Sequence, residues 1–222
     1  MKNILLVGAS SEVAKSLFNK YNNYYNFTRL SRNENFSDVS NFDILNKDTY
    51  IKNETTYDGL VYFPGTINLK PFKNLTIDNF NKDFEINVLG IVNILKYYQN
   101  QFNNNCSIIF ISSLASKIGL PFHASVSVAK SAIVGLCLSL AAEYAPAFRV
   151  NCISPSMFKS EMSSRFLRNI KSEEKIRDNN PLKMIGESED ISSLINFLLS
   201  NESKWITGQN FSVDGGMSTL KI

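Results

Sequence analysis

The chain alternates short, continuous apolar runs with longer segments of helical periodicity, and this order constrains its fold more than any other feature. The runs predict strands at residues 4–8, 25–30, 59–63, 107–111, 149–153 and 210–213, with one more short strand in the polar stretch 31–57. The periodic segments predict helices at 12–20, 77–102 and 124–145, and a further helix capped by Ser188. Strands that are apolar throughout and alternate with helices indicate a parallel sheet covered on both faces.

This order predicts an α/β protein of three layers, with a doubly wound parallel sheet. At 222 residues the chain is expected to form a single domain, residues 1–222. Sheets of this kind bind ligands at the carboxyl ends of their strands, where the strand order reverses. The informative residues should therefore follow the strands.

Composition narrows the function further. The 23 basic and 20 acidic residues are scattered without a run of like charge, which argues against a nucleic-acid or polybasic membrane surface. No apolar run is as long as the ~18–20 residues of a membrane span, and the N-terminus does not resemble a signal peptide. The lone His123 excludes a multi-histidine metal site, and the three cysteines are expected to be reduced core residues. We expect a cytoplasmic protein with a small-molecule substrate.

The turn after the first strand has the layout of a dinucleotide-binding turn, in which a strand, a glycine and a helix follow one another and hold the phosphates. A helix N-terminus offers unpaired N–H groups to a pyrophosphate, and Gly8 permits a tight turn close to it. The candidate cofactor contacts are Gly8, Ser10, Ser11, Glu12 and Val13. Only the first of the usual glycines is present, so an ordinary strand–helix turn is the alternative.

The end of the second strand bears on the kind of dinucleotide. Ser31-Arg32 stands where an enzyme that prefers NAD would place a carboxylate for the ribose 2′-hydroxyl. A small hydroxyl and an arginine favour a 2′-phosphate, and hence NADP(H) over NAD(H). A solvated arginine without a ligand is the other interpretation of Arg32.

Several motifs, in order and spacing, resemble those of the short-chain dehydrogenase/reductase family over nearly the whole chain. Asp43-Ile44 is similar to the pair that holds adenine, and Phe63-Pro64-Gly65 lies where the family has part of its Asn-Asn-Ala-Gly motif. The segment from Val150 to Ser156 resembles Val-Asn-x-Ile-x-Pro-Gly, and 205–216 resembles the C-terminal signature. The resemblance implies a Rossmann fold. It adds these cofactor contacts: Asp43, Ile44, Phe63, Pro64, Gly65, Lys130, Pro155, Ser156, Met157 and Ser160.

The same resemblance supplies the catalytic candidates. It implies that Asn87 is the active-site asparagine, that Ser113 binds the carbonyl oxygen, and that Lys130 is the lysine of Tyr-x-x-x-Lys. The tyrosine, which is the family's general acid, is replaced by Val126. Valine cannot transfer a proton, so another group would have to do so.

Four groups are candidates for that proton transfer. His123, Ser127 and Lys130 are spaced to share one helix face, and Tyr62 ends a strand at the cofactor cleft. The alternatives are a structural histidine, a serine bonded to the backbone and a packing tyrosine. The lysine acts as donor only if burial lowers its pKa.

Two functions follow. The first is an NADP(H)-dependent oxidoreductase acting on a small carbonyl or alcohol. The second is a non-catalytic NADP(H)-binding protein that senses the nucleotide or scaffolds a partner.

Residues 157–183 are expected to form a substrate lid, or else an exposed helical excursion, and their apolar side chains favour a hydrophobic substrate. The resemblance also implies a dimer or tetramer formed through the long helices.

Overall fold

The computed structural model describes residues 1–51, 53–164, 166–167 and 169–221. Six strands form one sheet: β1 (Lys2–Val7), β2 (Tyr25–Leu30), β3 (Tyr57–Tyr62), β4 (Phe102–Ile111), β5 (Phe148–Pro155) and β6 (Asn210–Val213). The helices are α1 (Glu12–Tyr21), α2 (Ile77–Phe84), α3 (Gly90–Tyr98), α4 (Ala124–Tyr144), α5 (Glu161–Ser164), α6 (Ile170–Asp178) and α7 (Ser188–Leu199). The predicted three-layer α/β arrangement is confirmed.

All strand pairs are parallel, in the order β2-β1-β3-β4-β5-β6. The chain passes from β1 outward to β2 and then returns to β3 on the other side of β1, so the order reverses between β1 and β3. The carboxyl ends of those two strands, at Val7 and Tyr62, are paired in register. A ligand crevice is expected above this pair.

The prediction of a strand within residues 31–57 was wrong for the part of that stretch that the structure describes. Two short 3₁₀ turns, Glu34–Phe36 and Lys47–Thr49, occupy it, and β2 remains the edge of the sheet. The polar composition explains this difference. An additional strand needs an apolar face, and the buried apolar side chains here, among them Phe42 and Tyr50, are too few and too widely spaced to provide one.

Alternate residues of the central strands pack into two cores. Leu5, Leu60, Ile108 and Val150 face α3 and α4 on one side. On the other side the residues between them face α1 and α7: Ile4, Leu6, Val61, Ile109 and Ile153. All three cysteines are free and buried, as expected.

The predicted long helix at 77–102 is interrupted. α2 and α3 are joined by a π-helical segment, Glu85–Leu89, and the helical region ends in a 3₁₀ turn, Gln99–Gln101, before β4 begins at Phe102. The apolar spacing continues through the interruption, which is why periodicity alone does not reveal it. The prediction for α7 was wrong by one residue, since Glu187 is its N-cap, and the Glu187 N–H donates to Asp190 Oδ2 at 2.8 Å.

α4 corrects the expectation that nothing in the chain is long and apolar enough for a membrane span. Its 21 residues meet that criterion by length and composition alone. One face of α4, including Ala129, Ile133, Cys137 and Ala141, is buried in the core beside β5. The apolar character of α4 therefore contributes to packing within the fold.

Candidate active site

The turn after β1 is shaped by a close approach between two segments. Gly8 has a φ of +81°, and a Cβ on it would lie 2.8 Å from Pro64 Cδ. Residue 8 therefore has to be glycine for both its backbone conformation and its space. This contact holds the two turns of the crevice together.

The start of α1 fits a phosphate group. The Ser11 hydroxyl accepts from the Ala14 N–H at 3.2 Å. The other N–H groups of the first turn have no partner within the helix, as at every helix N-terminus. Glu12, an anionic side chain in this turn, forms an ion pair with Lys15 at 3.0 Å. Val13 is buried against the sheet, and Ser10 is half-buried. The glycine turn and the helix start can thus accept a pyrophosphate.

The end of β2 presents one free cation. Arg32 is exposed and forms no ion pair with any described residue, whereas Arg29 pairs with Asp38 at 2.8 Å. Ser31 is buried, and its hydroxyl accepts from the Asn33 N–H at 3.1 Å. Arg32 is therefore the side chain at this edge that is free to meet an added phosphate.

The two residues predicted to hold adenine differ in their exposure. Asp43 is exposed, and its Oδ1 accepts from the Leu45 N–H at 2.9 Å. Ile44 is buried in the core, and its carbonyl oxygen accepts the hydroxyl of Tyr50. Only the carboxylate of this pair is open to a ligand.

Lys130 lies beneath the carboxyl end of β4. The side chain is buried, and Nζ donates to the Ile111 carbonyl oxygen at 3.0 Å. Burial lowers the pKa of Lys130 to about 8, against the opposing effects of Cys152 and Asp83. The first condition for a lysine proton donor is therefore met.

Asn87 lies in the π-helical segment and meets the lysine at Gly65. A Cβ on Gly65 would lie 3.0 Å from Asn87 Oδ1 and 3.1 Å from Lys130 Nζ. Both atoms therefore converge on one face of the glycine. The amide oxygen is buried and has no hydrogen-bond partner among the described residues.

Three further residues of this site were missed by the sequence analysis. Asp83 is fully buried, and its Oδ1 accepts from the Thr66 hydroxyl at 2.5 Å and from Asn68 Nδ2 at 2.8 Å. Asn87 Nδ2 donates to Thr66 Oγ1 at 3.1 Å and to the Asp83 carbonyl oxygen at 2.8 Å. These polar side chains form one network. An acidic residue one helical turn before the asparagine was the signal available.

The remaining catalytic candidates lie around this network. Ser113 follows β4 and is half-buried, and its hydroxyl accepts from the Ala115 N–H at 3.2 Å. Val126 is 2% exposed on the first turns of α4, one helical turn before Lys130. His123 is the N-cap of that helix, and its Nδ1 lies 2.7 Å from the Pro121 carbonyl oxygen. The half-buried Ser127 donates its backbone N–H to the His123 carbonyl oxygen at 2.7 Å.

Tyr62 does not face the cleft, and that part of the prediction was wrong. Its ring is buried among α3 and the sheet, and its hydroxyl donates to the Ile86 carbonyl oxygen at 2.6 Å. Burial raises the pKa of Tyr62 well above the ordinary value, with a further rise from Tyr50. The packing interpretation of this residue is correct.

The end of β5 and the segment after it complete the crevice. Pro155 ends the strand, and the Ser156 N–H donates to the Val213 carbonyl oxygen at 3.1 Å. Ser160 exchanges hydrogen bonds with Ser163, and Met157 is exposed. Phe63, at the β3 end, donates its N–H to the Val7 carbonyl oxygen at 2.9 Å. Within 157–183 the structure describes α5 and α6, while residues 165 and 168 lie outside the described residues.

The arrangement can hold an extended nucleotide and place polar groups at its end. The Gly8 turn and α1 offer the phosphate end, Arg32 and Asp43 flank it, and Lys130 and Asn87 lie at the far side of Pro64-Gly65. A buried amine beside an unpaired amide oxygen can bind and protonate an oxygen atom.

Comparison with known families gives a match over most of the chain. The sequence model of the family described as enoyl-(acyl carrier protein) reductase matches residues 41–218. Hydroxynaphthalene reductase arp2 of Aspergillus fumigatus is 30% identical over 169 residues, which cover 70% of this chain and 61% of arp2. The 3-oxoacyl-(acyl-carrier-protein) reductase FabG of Rickettsia prowazekii is 30% identical over 96% of this chain and 86% of FabG. Against human dehydrogenase/reductase SDR family member 4, the match spans 52% of that protein's length.

Solved structures share the whole fold. The structure of 4-hydroxyisoleucine dehydrogenase complexed with NADH has a TM-score of 0.87 and 25% identity, and the match covers 100% of both chains. A variant of ElxO with NADPH bound has a TM-score of 0.83 and 24% identity, covering 99% of this chain and 100% of ElxO. The six-stranded parallel sheet with flanking helices is thus a Rossmann-like fold.

Proposed function

The chain belongs to the short-chain dehydrogenase/reductase family, and from this we propose that it is an NADP(H)-dependent oxidoreductase acting on a small carbonyl or alcohol. The relatives named above are reductases, and two structural neighbours hold NADH or NADPH. The observation that carries the proposal is the convergence of Lys130 Nζ and Asn87 Oδ1 on Gly65 at the crevice. Burying the Lys130 amine at this place costs free energy, and a purely structural role would not explain why the protein bears that cost.

The cofactor fits the residues present. Gly8 has no side chain and a φ of +81°, so a pyrophosphate can approach the backbone of this turn. Ser10, Ser11, Glu12 and Val13 would lie along the phosphates. The remaining contacts would come from the ends of the other strands, the segments that follow them and α4: Ser31, Arg32, Asp43, Phe63, Gly65, Lys130, Pro155, Ser156, Met157 and Ser160.

Arg32 supports the preference for NADP(H). Its guanidinium is exposed and has no ion-pair partner among the described residues, and no carboxylate occupies that position. A guanidinium that is free of internal partners can form charge-assisted hydrogen bonds to a 2′-phosphate.

The nicotinamide cofactor, when bound, supplies or removes the hydride. The residues of this chain handle the oxygen atom and its proton. Ser113 would donate to the carbonyl oxygen, and the Lys130 ammonium would then give its proton to the developing alkoxide and be left as a neutral amine. A pKa of about 8 keeps most of this amine protonated at neutral pH while making it a better acid than an exposed lysine. Asn87 would hold the lysine, directly or through one water molecule.

His123 is the other candidate donor. Its Nδ1 is engaged with the Pro121 carbonyl oxygen, which leaves Nε2 as the ring nitrogen that could serve a substrate. Turnover that is unchanged by His123→Ala and abolished by Lys130→Met would assign the proton to the lysine.

A non-catalytic role in nucleotide sensing or scaffolding is the second candidate. The observation that favours it is Val126, which fills the tyrosine position with a buried apolar side chain. We further propose a cytoplasmic dimer or tetramer with no nucleic-acid or membrane partner. The oligomer is supported by exposed apolar side chains on α4 and on the π-helical segment, among them Leu89, Val128 and Leu138.

The proposal is tested by calorimetric titration of the protein with NADPH and, separately, with NADH. Tighter binding of NADPH is expected, followed by oxidation of NADPH in the presence of small apolar aldehydes or ketones. Binding without turnover on any carbonyl would favour the sensing role. Binding of neither nucleotide would contradict both functions.

A further inference from the structure

Asp83 is a buried carboxylate in the last turn of α2 that no family motif singles out. It is 0% exposed and forms no ion pair with any described residue. Its Oδ1 accepts two hydrogen bonds, from Thr66 and Asn68, while Oδ2 is buried without a partner. A buried carboxylate of this kind is costly unless something else faces it.

The hydrogen-bond directions around Asp83 fix the orientation of Asn87. A carboxylate only accepts, so the Thr66 hydroxyl hydrogen must point to Asp83. Thr66 Oγ1 can then only accept, and it accepts from Asn87 Nδ2 at 3.1 Å. The amide nitrogen is turned to Thr66, and the amide oxygen is turned to Gly65 and Lys130.

The charge of Asp83 also acts on Lys130. Two titratable groups influence the amine, Cys152 from β5 and Asp83 from α2, and both favour its protonated form. Of the two, Asp83 is the carboxylate, and its hydrogen bonds through Thr66 reach Asn87, whose amide oxygen converges with the amine on Gly65.

We propose that Asp83 is a positioning residue of this site, whose carboxylate orients the Asn87 amide through Thr66 and whose negative charge stabilises the Lys130 ammonium. Its meaning for catalysis rests on the proposed function. The orientation of the Asn87 amide and the effect of the charge on Lys130 do not depend on whether the protein turns over a substrate. Thr66 is the relay, since among the described residues its hydroxyl is the group that bonds both side chains.

Two substitutions separate charge from relay. Asp83→Asn keeps an oxygen that can accept from Thr66 and Asn68 and removes the charge, while it places an amide nitrogen at the buried position of Oδ2. Thr66→Val keeps the charge and removes the relay hydroxyl. Asp78→Asn is the matched control, because it removes the same charge from an exposed position on the same helix.

The readout is NMR titration of the Lys130 Cε resonance together with the side-chain amide resonances of Asn87. In Asp83→Asn we expect the pKa of Lys130 to fall by roughly half a unit to one unit. In Thr66→Val we expect a smaller fall and an upfield shift of the Asn87 amide protons, which lose a hydrogen bond. Asp78→Asn should move neither signal.

Both measurements are made without substrate, so they distinguish this proposal from the proposed function. An unchanged Lys130 titration in folded Asp83→Asn would overturn the role of the charge. Unmoved Asn87 resonances in Thr66→Val would overturn the relay, and this variant carries the test alone if Asp83→Asn does not fold. If the wild type turns over a carbonyl, kcat in Thr66→Val should fall by about tenfold with the dissociation constant of NADPH unchanged.

Discussion

The hydroxyl of Tyr62 occupies the space that a side chain on Gly90 would fill. A Cβ on residue 90 would overlap that hydroxyl and lie 2.8 Å from Ile44 Cδ1. From this position the hydroxyl donates to the Ile86 carbonyl oxygen at 2.6 Å, within the π-helical segment that carries Asn87. A tyrosine on β3 and a glycine at the start of α3 thus hold the shape of the active-site helix.

Removing either partner is expected to destabilise the fold. Tyr62→Phe leaves the Ile86 carbonyl oxygen without this donor, which costs about 1–3 kcal/mol in the free energy of unfolding. Gly90→Ala forces its Cβ against the hydroxyl, at a cost of roughly 1–3 kcal/mol. Urea unfolding of the variants measures both values.

The double variant tests whether the two residues are coupled. Tyr62→Phe removes the atom that a Cβ at position 90 meets first, so Tyr62→Phe/Gly90→Ala should lose less free energy than the sum of the single variants. Tyr24→Phe, at an exposed ring, is the control for loss of a hydroxyl. Simple additivity of the two changes would contradict the coupling.

Lys130 is expected to make stability rise with pH. Burial lowers its pKa in the folded protein to about 8, below the value of 10.5 for an unburied lysine. Between these values the unfolded chain binds more protons than the folded one, so the free energy of unfolding increases as the pH rises from 8 to 10.5. The shift corresponds to roughly 3 kcal/mol.

Lys130→Met should remove this rise and be more stable than the wild type at pH 7, because it no longer buries an ammonium. Urea unfolding of both proteins at neutral pH and near pH 10 gives the comparison, in which the contributions of all other groups cancel. Lys96→Met, at an exposed position on α3, controls for loss of a lysine. An equal pH dependence in wild type and Lys130→Met would contradict the buried, destabilised ammonium.

The sheet could be predicted because its signal is local. Each central strand contains a short run of apolar residues, and the six observed strands coincide with the predicted runs to within two residues at each end, except that β4 begins five residues earlier than predicted, at Phe102. The break in the long helix could not be predicted, because the contacts that accompany it are not local. The Ile86 carbonyl is bonded by Tyr62, 24 residues earlier in the chain.

The candidate site also contains some residues that could be located from the sequence and others that could not. Gly8, Asn87 and Lys130 belong to recognisable motifs, so the sequence located them. Asp83 and Thr66 belong to no motif, and their roles follow from hydrogen bonds between segments 17 residues apart. Tyr62 was misplaced because the end of a strand indicates which edge of the sheet a residue lies at, but not which face its side chain takes.

Arg32→Ala should weaken NADPH binding by about 10- to 100-fold and leave NADH binding nearly unchanged, since a charge-assisted contact to one phosphate is worth about 1.5–3 kcal/mol. Calorimetric titration with each nucleotide at one fixed ionic strength measures the two affinities. Lys47→Ala, another exposed cation of the same region, serves as the control. A similar loss for both nucleotides would remove Arg32 from the 2′-phosphate site.

Val126→Tyr should raise carbonyl reduction, but by less than the ~10²–10⁴-fold that a positioned general acid contributes where none is present, because Lys130 already supplies a proton. Position 126 lies four residues before Lys130 on α4, so a phenol there would share a helix face with the ammonium, which would lower the pKa of the phenol. Val126 is 2% exposed, so the larger ring is expected to cost about 1–3 kcal/mol in stability. Val126→Phe is the matched control, because its ring has the same packing cost but carries no acidic proton. Equal turnover in the two variants would show that the hydroxyl has no role, and that proton transfer in this protein already proceeds through another group.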